Sequence, residues 1–126
     1  TASAHLDDLL GWASARLTGA LACAVAPLAG GIPLRAATTM LRDAADHPSP
    51  NGGWCEAAWA GALGVRLGGA NTYGDRVEVR GTLGNPDWPH PSAGDVRQAA
   101  RLVTAVTAAA TALAATTAAL VTRRTR

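Results

Sequence analysis

An uncharged stretch of 21 residues, LVTAVTAAATALAATTAALVT, occupies positions 102–122. About 20 residues at a rise of 1.5 Å per residue are enough for a helix to cross a hydrocarbon layer roughly 30 Å thick. Nine of the 21 residues are alanine and six are threonine, whose hydroxyl groups can bond back to the carbonyl four residues earlier. The stretch predicts a membrane or membrane-associated helix, and a soluble alanine-rich helix is the alternative.

A second uncharged stretch, LTGALACAVAPLAGGIPL, occupies positions 17–34. Pro27 and the Gly30–Gly31 pair lie in its second half, where a helix should kink or break. The residues before it, 1–16, carry leucines at helical spacing. We therefore expect an amphipathic helix over 1–16, followed by a membrane segment over 17–34.

The composition supports this fold class. Alanine and glycine supply 44 of the 126 residues, and phenylalanine is absent. Large apolar side chains, which contribute roughly 1.5–3 kcal/mol each when buried, are therefore scarce. Because small residues let helices approach closely inside a bilayer, the composition favours a mainly α, helical integral membrane protein over an ordinary soluble domain.

Charge and metal-binding residue types exclude several kinds of site. The net charge of +2 is spread along the chain without a basic stripe, so we expect no nucleic-acid partner. The three histidines lack a second ligand at helical spacing, and Cys23 and Cys55 form no CxxC motif, so we expect no zinc. The chain contains no lysine, which excludes a P-loop nucleotide site.

A polar segment, residues 35–101, separates the two apolar stretches and is expected to form helices joined by loops. Its first helix should stop at Asp46, because Pro48 and Pro50 hold the preceding residues in extended geometry. A second helix is predicted over 54–65 and should end at a pair of glycines.

Two further patterns follow in the polar segment. The alternating sequence DRVEVR, residues 75–80, predicts a short strand or one arm of a β-hairpin. Ser92, followed three residues later by Asp95, predicts a capping box that opens the last helix. That helix should run from Ala93 to about Thr122.

The sequence HPSPNGGWCE, residues 47–56, is the strongest candidate for a functional site. It places histidine, serine, asparagine and glutamate among two prolines, which hold the backbone, and two glycines, which allow close approach. Glu56 falls in the first turn of the next helix, where backbone N–H groups can meet a phosphate or carboxylate. A plain connection between two helices, with Asn51 as the turn residue, is the alternative.

Arg66 lies in GALGVRLGG, residues 61–69, where glycines surround it. Its guanidinium group is suited to clamp a phosphate or carboxylate through two parallel hydrogen bonds. Local chemistry alone favours the alternative, a closely packing face of small residues with an exposed arginine.

Three stretches resemble the carboxyl-terminal part of the CobD/CbiB family of cobalamin biosynthesis. They are DDLLGWASARLT from Asp7, RDAADHPSPNGGWCEAAWAGALGVRLGGANTYGD from Arg42 and SAGDVRQAARLV from Ser92. Members of that family are integral membrane proteins of about twice this length, so the resemblance implies a missing amino-terminal half that holds further spans. The sequence departs from the family pattern where Gly52 replaces a usual alanine and Cys55 a usual proline.

The resemblance implies an enzyme similar to adenosylcobinamide-phosphate synthase. Such an enzyme is an ATP-dependent carbon–nitrogen ligase that joins a carboxylate of (adenosyl)cobyric acid to aminopropanol or its phosphate. The expected partners are therefore a corrinoid, the amine and membrane lipid. ATP and Mg²⁺ are expected because the carboxylate must be activated, in our interpretation as an acyl phosphate.

For this chemistry, arginines would clamp phosphate oxygens, and carboxylates would hold Mg²⁺ or act as a base. The candidate clamps are Arg16, Arg42 and Arg66. The catalytic candidates are Asp43, His47 and Glu56. The residues expected to line the substrate are Ser49, Asn51 and Tyr73, and Asp8 is the candidate Mg²⁺ ligand.

The sequence makes conflicting predictions of membrane topology. Arg123, Arg124 and Arg126 predict a cytoplasmic carboxyl terminus by the positive-inside rule. The polar segment should also face the cytoplasm, to reach ATP, and one intervening span cannot satisfy both. We predict a multi-pass protein of the cell (inner) membrane with a cytoplasmic polar segment, whose last helix lies along the membrane or only partly enters it.

Two other functional classes remain as alternatives at this point. One is a non-catalytic membrane sensor resembling AmpE-type proteins, and the other is a soluble helical interaction module. The HPSPN sequence favours the ligase over the sensor, because a signalling protein has less need of clustered histidine, serine, asparagine and glutamate side chains.

Overall fold

A computed structural model describes residues 2–125, which form four α-helices, two 3₁₀ turns and one β-hairpin. In chain order the elements are α1 (Ala2–Val25), a 3₁₀ turn (Ala26–Ala29), α2 (Pro33–Asp43), a second 3₁₀ turn (Ala44–Asp46), α3 (Gly52–Leu63), β1 (Leu67–Tyr73), β2 (Arg76–Leu83) and α4 (Ala93–Arg124). The mainly helical class and the hairpin predicted from the sequence are confirmed.

Helix α1 runs without interruption through residue 16, so the amphipathic segment and the start of the apolar stretch form one element. It ends at Val25, just before Pro27, and Gly30 then adopts a left-handed conformation with φ of 75°. Helix α2 begins at Pro33, whose missing N–H is no loss at the first helical position. The break expected in the second half of the apolar stretch is therefore confirmed.

The leucine stripe of α1 is not the face that packs within this chain. Leu6, Leu9 and Leu10 are each more than half exposed, whereas Ala22 in the second half of the helix is fully buried. The first half of α1 instead contacts Asn51, through groups on the opposite, more polar side of the helix.

The core consists largely of alanine, and glycines bring the helices close together. A Cβ atom at Gly61 of α3 would lie 2.7 Å from both the Cα of Ala36 and the carbonyl oxygen of Arg35. A Cβ atom at Gly19 of α1 would lie 2.7 Å from the sulfur of Met40. Close approach of small residues thus replaces the large side chains that the composition lacks. The buried alanines are Ala22, Ala26, Ala29, Ala36, Ala44, Ala57, Ala58, Ala60 and Ala62.

The two short helices predicted in the polar segment are present. Helix α2 ends at Asp43, and the 3₁₀ turn that follows ends at Asp46, the predicted stop. Helix α3 covers Gly52–Leu63, within two residues of the prediction, and Gly64 closes it in a left-handed conformation with φ of 71°. The placement of Glu56 in the first turn was wrong, because the helix begins at Gly52 and its first turn holds no acidic residue.

The hairpin corrects one part of the sequence interpretation. The strand predicted from DRVEVR is part of β2, but the sequence predicts no strand for its partner β1, because Gly68 and Gly69 there indicate only the end of a helix. Both glycines lie within β1 with φ near 80°. Gly68 pairs with Thr82 and Gly69 with Arg80, so Gly81 is an extra residue that forms a β-bulge.

Helix α4 begins at Ala93, as predicted, and the Ser92 N–H donates a hydrogen bond of 2.7 Å to the Asp95 carboxylate. This bond is the reciprocal half of the predicted capping box. Leu102 and Val106 are buried, whereas every residue from 111 to 125 is exposed. The last half of α4 therefore extends beyond the packed part of the chain, by about 22 Å at 1.5 Å per residue.

Two helices are long and apolar enough to cross a membrane. They cover His5–Ala29, with a mean hydropathy of 1.4, and Ala93–Arg124, with a mean hydropathy of 1.6. The core helix of a soluble protein passes the same test but is mostly buried, whereas only 28% and 11% of these two apolar windows are buried within the chain.

Candidate active site

The turn between α2 and α3 is held by its own side chains. The Oγ of Ser49 accepts a hydrogen bond of 3.1 Å from the Gly52 N–H, and the Ser49 N–H donates one of 3.0 Å to Nδ1 of His47. A Cβ atom at Gly53 would lie 2.0 Å from the Ala44 carbonyl oxygen, so only glycine fits there. Residues 47–51, together with the start of α3, therefore form an ordered turn that fixes the ring of His47.

His47 and Glu56 meet across this turn. Nε2 of His47 lies 3.1 Å from Oε1 of Glu56, with the His47 side chain only 13% exposed and the Glu56 side chain 51% exposed. The contact does not have hydrogen-bond geometry, and Nε2 has no hydrogen-bond partner among residues 2–125. The carboxylate therefore faces solvent while the imidazole is largely enclosed.

Nδ1 of His47 lies close to two backbone groups of Ser49, the N–H at 3.0 Å and the carbonyl oxygen at 3.3 Å. When Nδ1 accepts the Ser49 N–H, a neutral ring carries its proton on Nε2; when Nδ1 instead donates to the Ser49 carbonyl oxygen, Nε2 carries none. The shorter contact, with the Ser49 N–H, favours the first arrangement, in which His47 is the donor and Glu56 is the group that can accept a proton.

A cavity of about 210 Å³, here called the hairpin cavity, lies between this pair and the β-hairpin. Its polar walls are His47, Glu56, Asn71, Tyr73 and Arg80, and its apolar walls include Leu67 and Leu83. The bulge brings the hairpin close to the turn, since a Cβ atom at Gly81 would lie 2.4 Å from the Asp46 carbonyl oxygen.

A larger cavity of about 440 Å³, here called the arginine cavity, also has His47 in its wall. The other lining residues are Arg16, Leu41, Ala44, Ala45, Pro48, Pro50 and Trp54. His47 therefore lies at the boundary between two cavities of different size and charge.

Arg16 is held in the arginine cavity by aromatic and polar contacts. Its guanidinium carbon lies 4.3 Å from the ring centroid of Trp12 and 4.7 Å from that of Trp54. Its Nη1 donates to the Trp12 carbonyl at 3.0 Å and to Oδ1 of Asn51 at 3.3 Å. Nδ2 of Asn51 donates to the Asp8 carbonyl at 2.8 Å, so Asn51 ties the turn to α1.

Asp43 serves as an anchor between α2 and the end of β2. Both of its carboxylate oxygens contact the Arg42 guanidinium, and Oδ2 also accepts a hydrogen bond of 2.8 Å from the Gly84 N–H. Burial alone raises the pKa of Asp43, but the hydrogen bonds from Arg42 and Gly84 outweigh it and hold the pKa below its usual value. The carboxylate is thus ionised and fully engaged.

Arg66 lies at a third cavity, of about 270 Å³, which it shares with His90 and Thr82. Its Nη1 donates to the Pro86 carbonyl at 2.8 Å, and its Nη2 lies 2.7 Å from Nε2 of His90. Because arginine only donates, Nε2 of His90 is the acceptor. Arg66 therefore pins the proline-rich loop before α4, and it does not line the cavities around His47.

The predicted site residues thus fall into two groups. Those at or beside the two cavities around His47 are Asp8, Arg16, His47, Ser49, Asn51, Glu56 and Tyr73. Those that make their contacts elsewhere are Arg42, Asp43 and Arg66. The roles assigned to all ten remain predictions.

The cavity walls also contain residues that the sequence interpretation did not select. Trp54 stacks on Arg16, and Asn71 and Arg80 line the hairpin cavity. Arg80 could have been found from the alternation in DRVEVR, which places it on the face opposite the valines. No local signal marks Trp54, because its partner is 38 positions away in the chain.

The described carboxylates limit how a metal ion can bind. Within residues 2–125, no group of three or more histidine, cysteine, aspartate or glutamate side chains could hold a metal ion. A nucleotide-bound Mg²⁺ needs only one or two protein carboxylates, so this does not conflict with the prediction. Of the three carboxylates selected from the sequence, Asp43 is fully engaged, and Asp8 and Glu56 remain available.

Comparison with known proteins gives one family. The family model described as CobD/Cbib protein matches residues 1–103. The cobalamin biosynthesis protein CobD of Mycobacterium tuberculosis (strain CDC 1551 / Oshkosh) is 47% identical over 113 residues, which cover 90% of this chain and 36% of that relative. No solved structure matches significantly.

Two other relatives bearing the same name extend the similarity to distant bacteria. The protein of Pelobacter propionicus is 51% identical over 85 residues, which cover 68% of this chain and 26% of the relative. That of Rhodobacter capsulatus is 46% identical over 98 residues, which cover 78% of this chain and 28% of the relative. The chain spans about a third of the length of the curated relatives it matches.

Proposed function

The chain belongs to the CobD/Cbib family, and from this premise we propose that it acts in cobalamin biosynthesis as part of an ATP-dependent amide ligase. The reaction joins a carboxylate of (adenosyl)cobyric acid to aminopropanol or its phosphate, giving (adenosyl)cobinamide or its phosphate. The substrates, ATP and the remainder of the enzyme are part of this proposal, which rests on the resemblance of residues 7–103 to the family.

One observation carries the proposal: His47 lines both the arginine cavity and the hairpin cavity. A ligase must bring an activated carboxyl group and an amine together at one point. The arginine cavity provides a cation for an activated, phosphorylated carboxyl group, and the hairpin cavity provides a carboxylate that can accept a proton. His47 lies where the two reactants would meet.

The proposed chemistry has two steps. First, a carboxylate oxygen of the corrinoid attacks the terminal phosphorus of ATP, ADP leaves, and an acyl phosphate forms. Second, the amine nitrogen, after losing its ammonium proton to Glu56, forms a bond to the acyl carbon, and the bond from that carbon to the phosphate oxygen breaks. The remaining surplus proton of the nitrogen leaves with the phosphate, so the products are the amide and hydrogen phosphate.

Within this mechanism, the residues of the chain have separate tasks. Arg16, stacked between Trp12 and Trp54, would hold phosphate oxygens with the N–H groups that its own contacts leave free. Nε2–H of His47 would donate to the developing oxyanion. Ser49 and Asn51 would position these two groups through the hydrogen bonds that order the turn.

The proposed Mg²⁺ ion would neutralise phosphate charge during transfer, with Asp8 as its protein ligand. The Asp8 carboxylate makes no hydrogen bond or ion pair with residues 2–125, and its backbone carbonyl is tied to Asn51 beside Arg16. This availability supports Asp8. Asp43, together with Arg42, is assigned a supporting role, because its oxygens hold the Gly84 N–H and a guanidinium group.

We also propose that the protein is a multi-pass protein of the cell membrane and that the hairpin and the turn at His47 face the cytoplasm. The two apolar, poorly buried helices support membrane insertion. Single cysteines at positions 79 and 125, in a background without Cys23 and Cys55, would test the orientation with a membrane-impermeant thiol reagent. Labelling of position 79 in intact cells, from the outside, would contradict a cytoplasmic hairpin.

The ligase function is tested by complementation. A strain that cannot amidate cobyric acid should regain growth that depends on cobalamin synthesis when it receives the complete gene, and should fail to do so with Glu56→Gln. Equal expression of both proteins in the membrane fraction serves as the control. No rescue by an expressed, unaltered protein would refute the function.

A further inference from the structure

The β-hairpin presents two chemically different faces. Residues paired across the strands share a face, so Asn71 opposite Glu78 and Gly69 opposite Arg80 lie on the side that also carries Tyr73. Val77 and Val79 lie on the other side. Asn71, Tyr73 and Arg80 line the hairpin cavity, whereas the two valines are 65% and 80% exposed. The polar face of the hairpin is therefore the one turned toward Glu56.

Opposite charges line the hairpin cavity. Glu56 is half exposed, and its contact with Nε2 of His47, at 3.1 Å, lacks hydrogen-bond geometry, so the carboxylate is open to a ligand. Arg80 is bound to Glu78 by a contact of 3.0 Å between two half-exposed side chains. Such an exposed pair is weak, worth about 0.2–1 kcal/mol, so a bound anion or hydroxyl group can replace it. The cavity thus offers a carboxylate for a cation and a guanidinium group for an oxygen-bearing group.

The size of the cavity restricts its ligand. Its volume of about 210 Å³ lies below the roughly 300–1,000 Å³ of pockets that hold drug-sized molecules. A corrinoid ring system is larger than such molecules and cannot enter, whereas a short amine of a few carbon atoms can.

From the charges and the size, we infer that the hairpin cavity is the binding pocket for the amine substrate, a short primary amine with a hydroxyl or phosphate group at its other end. Glu56 binds the ammonium group, and Arg80 binds the distal oxygen atoms and so acts as a specificity-determining residue. This inference rests on the proposed ligase function, because it names the pocket for one of its two joined substrates.

The geometry also connects binding with the chemical step. The ammonium group bound at Glu56 would lie within reach of His47, whose Nε2 is 3.1 Å from the same carboxylate. Transfer of one proton to Glu56 gives the neutral amine, whose lone pair can attack a carboxyl group activated on the arginine-cavity side of His47. The amine would therefore approach from the side opposite to the phosphate.

Direct binding of the amine to the full-length protein in detergent tests the pocket without the reaction. Titration calorimetry with aminopropanol and with aminopropanol phosphate, in the absence of ATP and corrinoid, should show saturable binding of at least one of them. Glu56→Gln and Arg80→Gln should each weaken that binding by about 10- to 100-fold, the effect expected for loss of a charged hydrogen bond. A larger loss for the phosphate than for the alcohol in Arg80→Gln would assign the phosphate to Arg80.

Arg76→Gln is the matched control, because Arg76 has the same charge and lies on the same face of β2 but does not line the cavity. It should change amine affinity by less than about two-fold, as expected for a substitution away from the site. Binding of cobyric acid should be unchanged in all three variants, since the corrinoid does not enter the pocket.

The outcomes separate the pocket from the ligase function. If the protein binds the amine through Glu56 and Arg80 but forms no amide, the ligase proposal fails and the pocket stands. If it forms the amide, and both variants keep the amine affinity and the amine KM of Arg76→Gln, the pocket assignment fails. Absence of amine binding to the unaltered protein, together with an unchanged amine KM in the variants, also overturns it.

Discussion

Nε2 of His47 lies 3.1 Å from Oε1 of Glu56, and the Ser49 N–H donates a hydrogen bond to the other ring nitrogen of His47. The two contacts give the ring a defined orientation. With the ring proton on Nε2, the tautomer that the shorter Ser49 contact favours, the imidazole is a donor and the Glu56 carboxylate can accept a proton.

Replacing Glu56 with glutamine should lower the rate of amide formation about 10²- to 10⁴-fold, the usual effect of removing a general base. The side chain is half exposed, so the fold should be retained. The rate is measured with saturating ATP, corrinoid and amine on the full-length protein in detergent. Asp87→Asn, at an exposed position in the loop before α4, is the control and should keep the normal rate. Normal turnover by Glu56→Gln would remove Glu56 from the chemistry.

Replacing Arg16 with lysine should raise the KM for ATP by about ten-fold. Lysine retains the charge but cannot stack on the two tryptophans, an interaction worth about 0.5–2 kcal/mol. It also lacks the guanidinium N–H groups, one of which donates to Asn51. The KM for the amine should stay constant, because the amine binds on the other side of His47. Arg101→Lys, on an exposed face of α4, provides the comparison. A rise in the amine KM instead of the ATP KM would contradict this division.

Replacing Asp43 with asparagine should lower the free energy of unfolding by about 1–3 kcal/mol near neutral pH, because the bonds to Gly84 and Arg42 lose their charged acceptor. The pKa of Asp43 is lower in the folded chain than in the unfolded one. Its stabilising contribution is therefore fully present above about pH 4 and disappears as the pH falls through the folded-state pKa.

Thermal unfolding in detergent at pH 6 and pH 3 tests whether the stabilising contribution of Asp43 decreases as the pH falls. The difference between the unaltered protein and Asp43→Asn should be largest at pH 6 and should shrink at pH 3. Asp87→Asn should show no such dependence. An equal difference at both pH values would show that the Asp43 carboxylate does not contribute through its charge.

Replacing Gly61 with alanine should destabilise the protein by about 1–3 kcal/mol, because the new methyl group would force α2 and α3 apart. The added carbon would lie 2.7 Å from backbone atoms of Ala36 and Arg35, which cannot move aside singly. Gly94→Ala in the first turn of α4 is the matched control, since its nearest contact is 3.6 Å away. That change should be neutral or should stabilise by up to about 1 kcal/mol. Equal unfolding temperatures for both variants would mean that the close approach at Gly61 is not required.

Membership of the CobD/Cbib family favours the ligase over the two alternatives raised from the sequence, an AmpE-type sensor and a soluble interaction module. The family can be recognised from the sequence because the stretch from Arg42 to Asp75 is long and its residue types follow the family pattern in the same order. The positions of individual side chains in the fold could not be predicted from the same resemblance. Of the arginines chosen as phosphate clamps, only Arg16 lines a cavity that includes His47.

The sequence alone determined the helices and the turn. Prolines and glycines stop helices through their own backbone restrictions, and apolar spacing marks helical faces, so the ends of α1, α3 and α4 could be predicted to within a few residues. The turn over residues 47–51 has its own hydrogen bonds between neighbours, so its conformation depends on residues that are adjacent in the sequence.

The tertiary structure alone decided β1 and the walls of both cavities. A strand beginning with Leu67-Gly68-Gly69 has little intrinsic β-propensity and forms only because β2 pairs with it. Arg80 faces Glu56 because of that pairing and the bulge, and Asp43 became an anchor because its partner, the Gly84 N–H, is 41 residues away. Contacts between such distant residues depend on how the helices pack, and local sequence patterns therefore do not predict them.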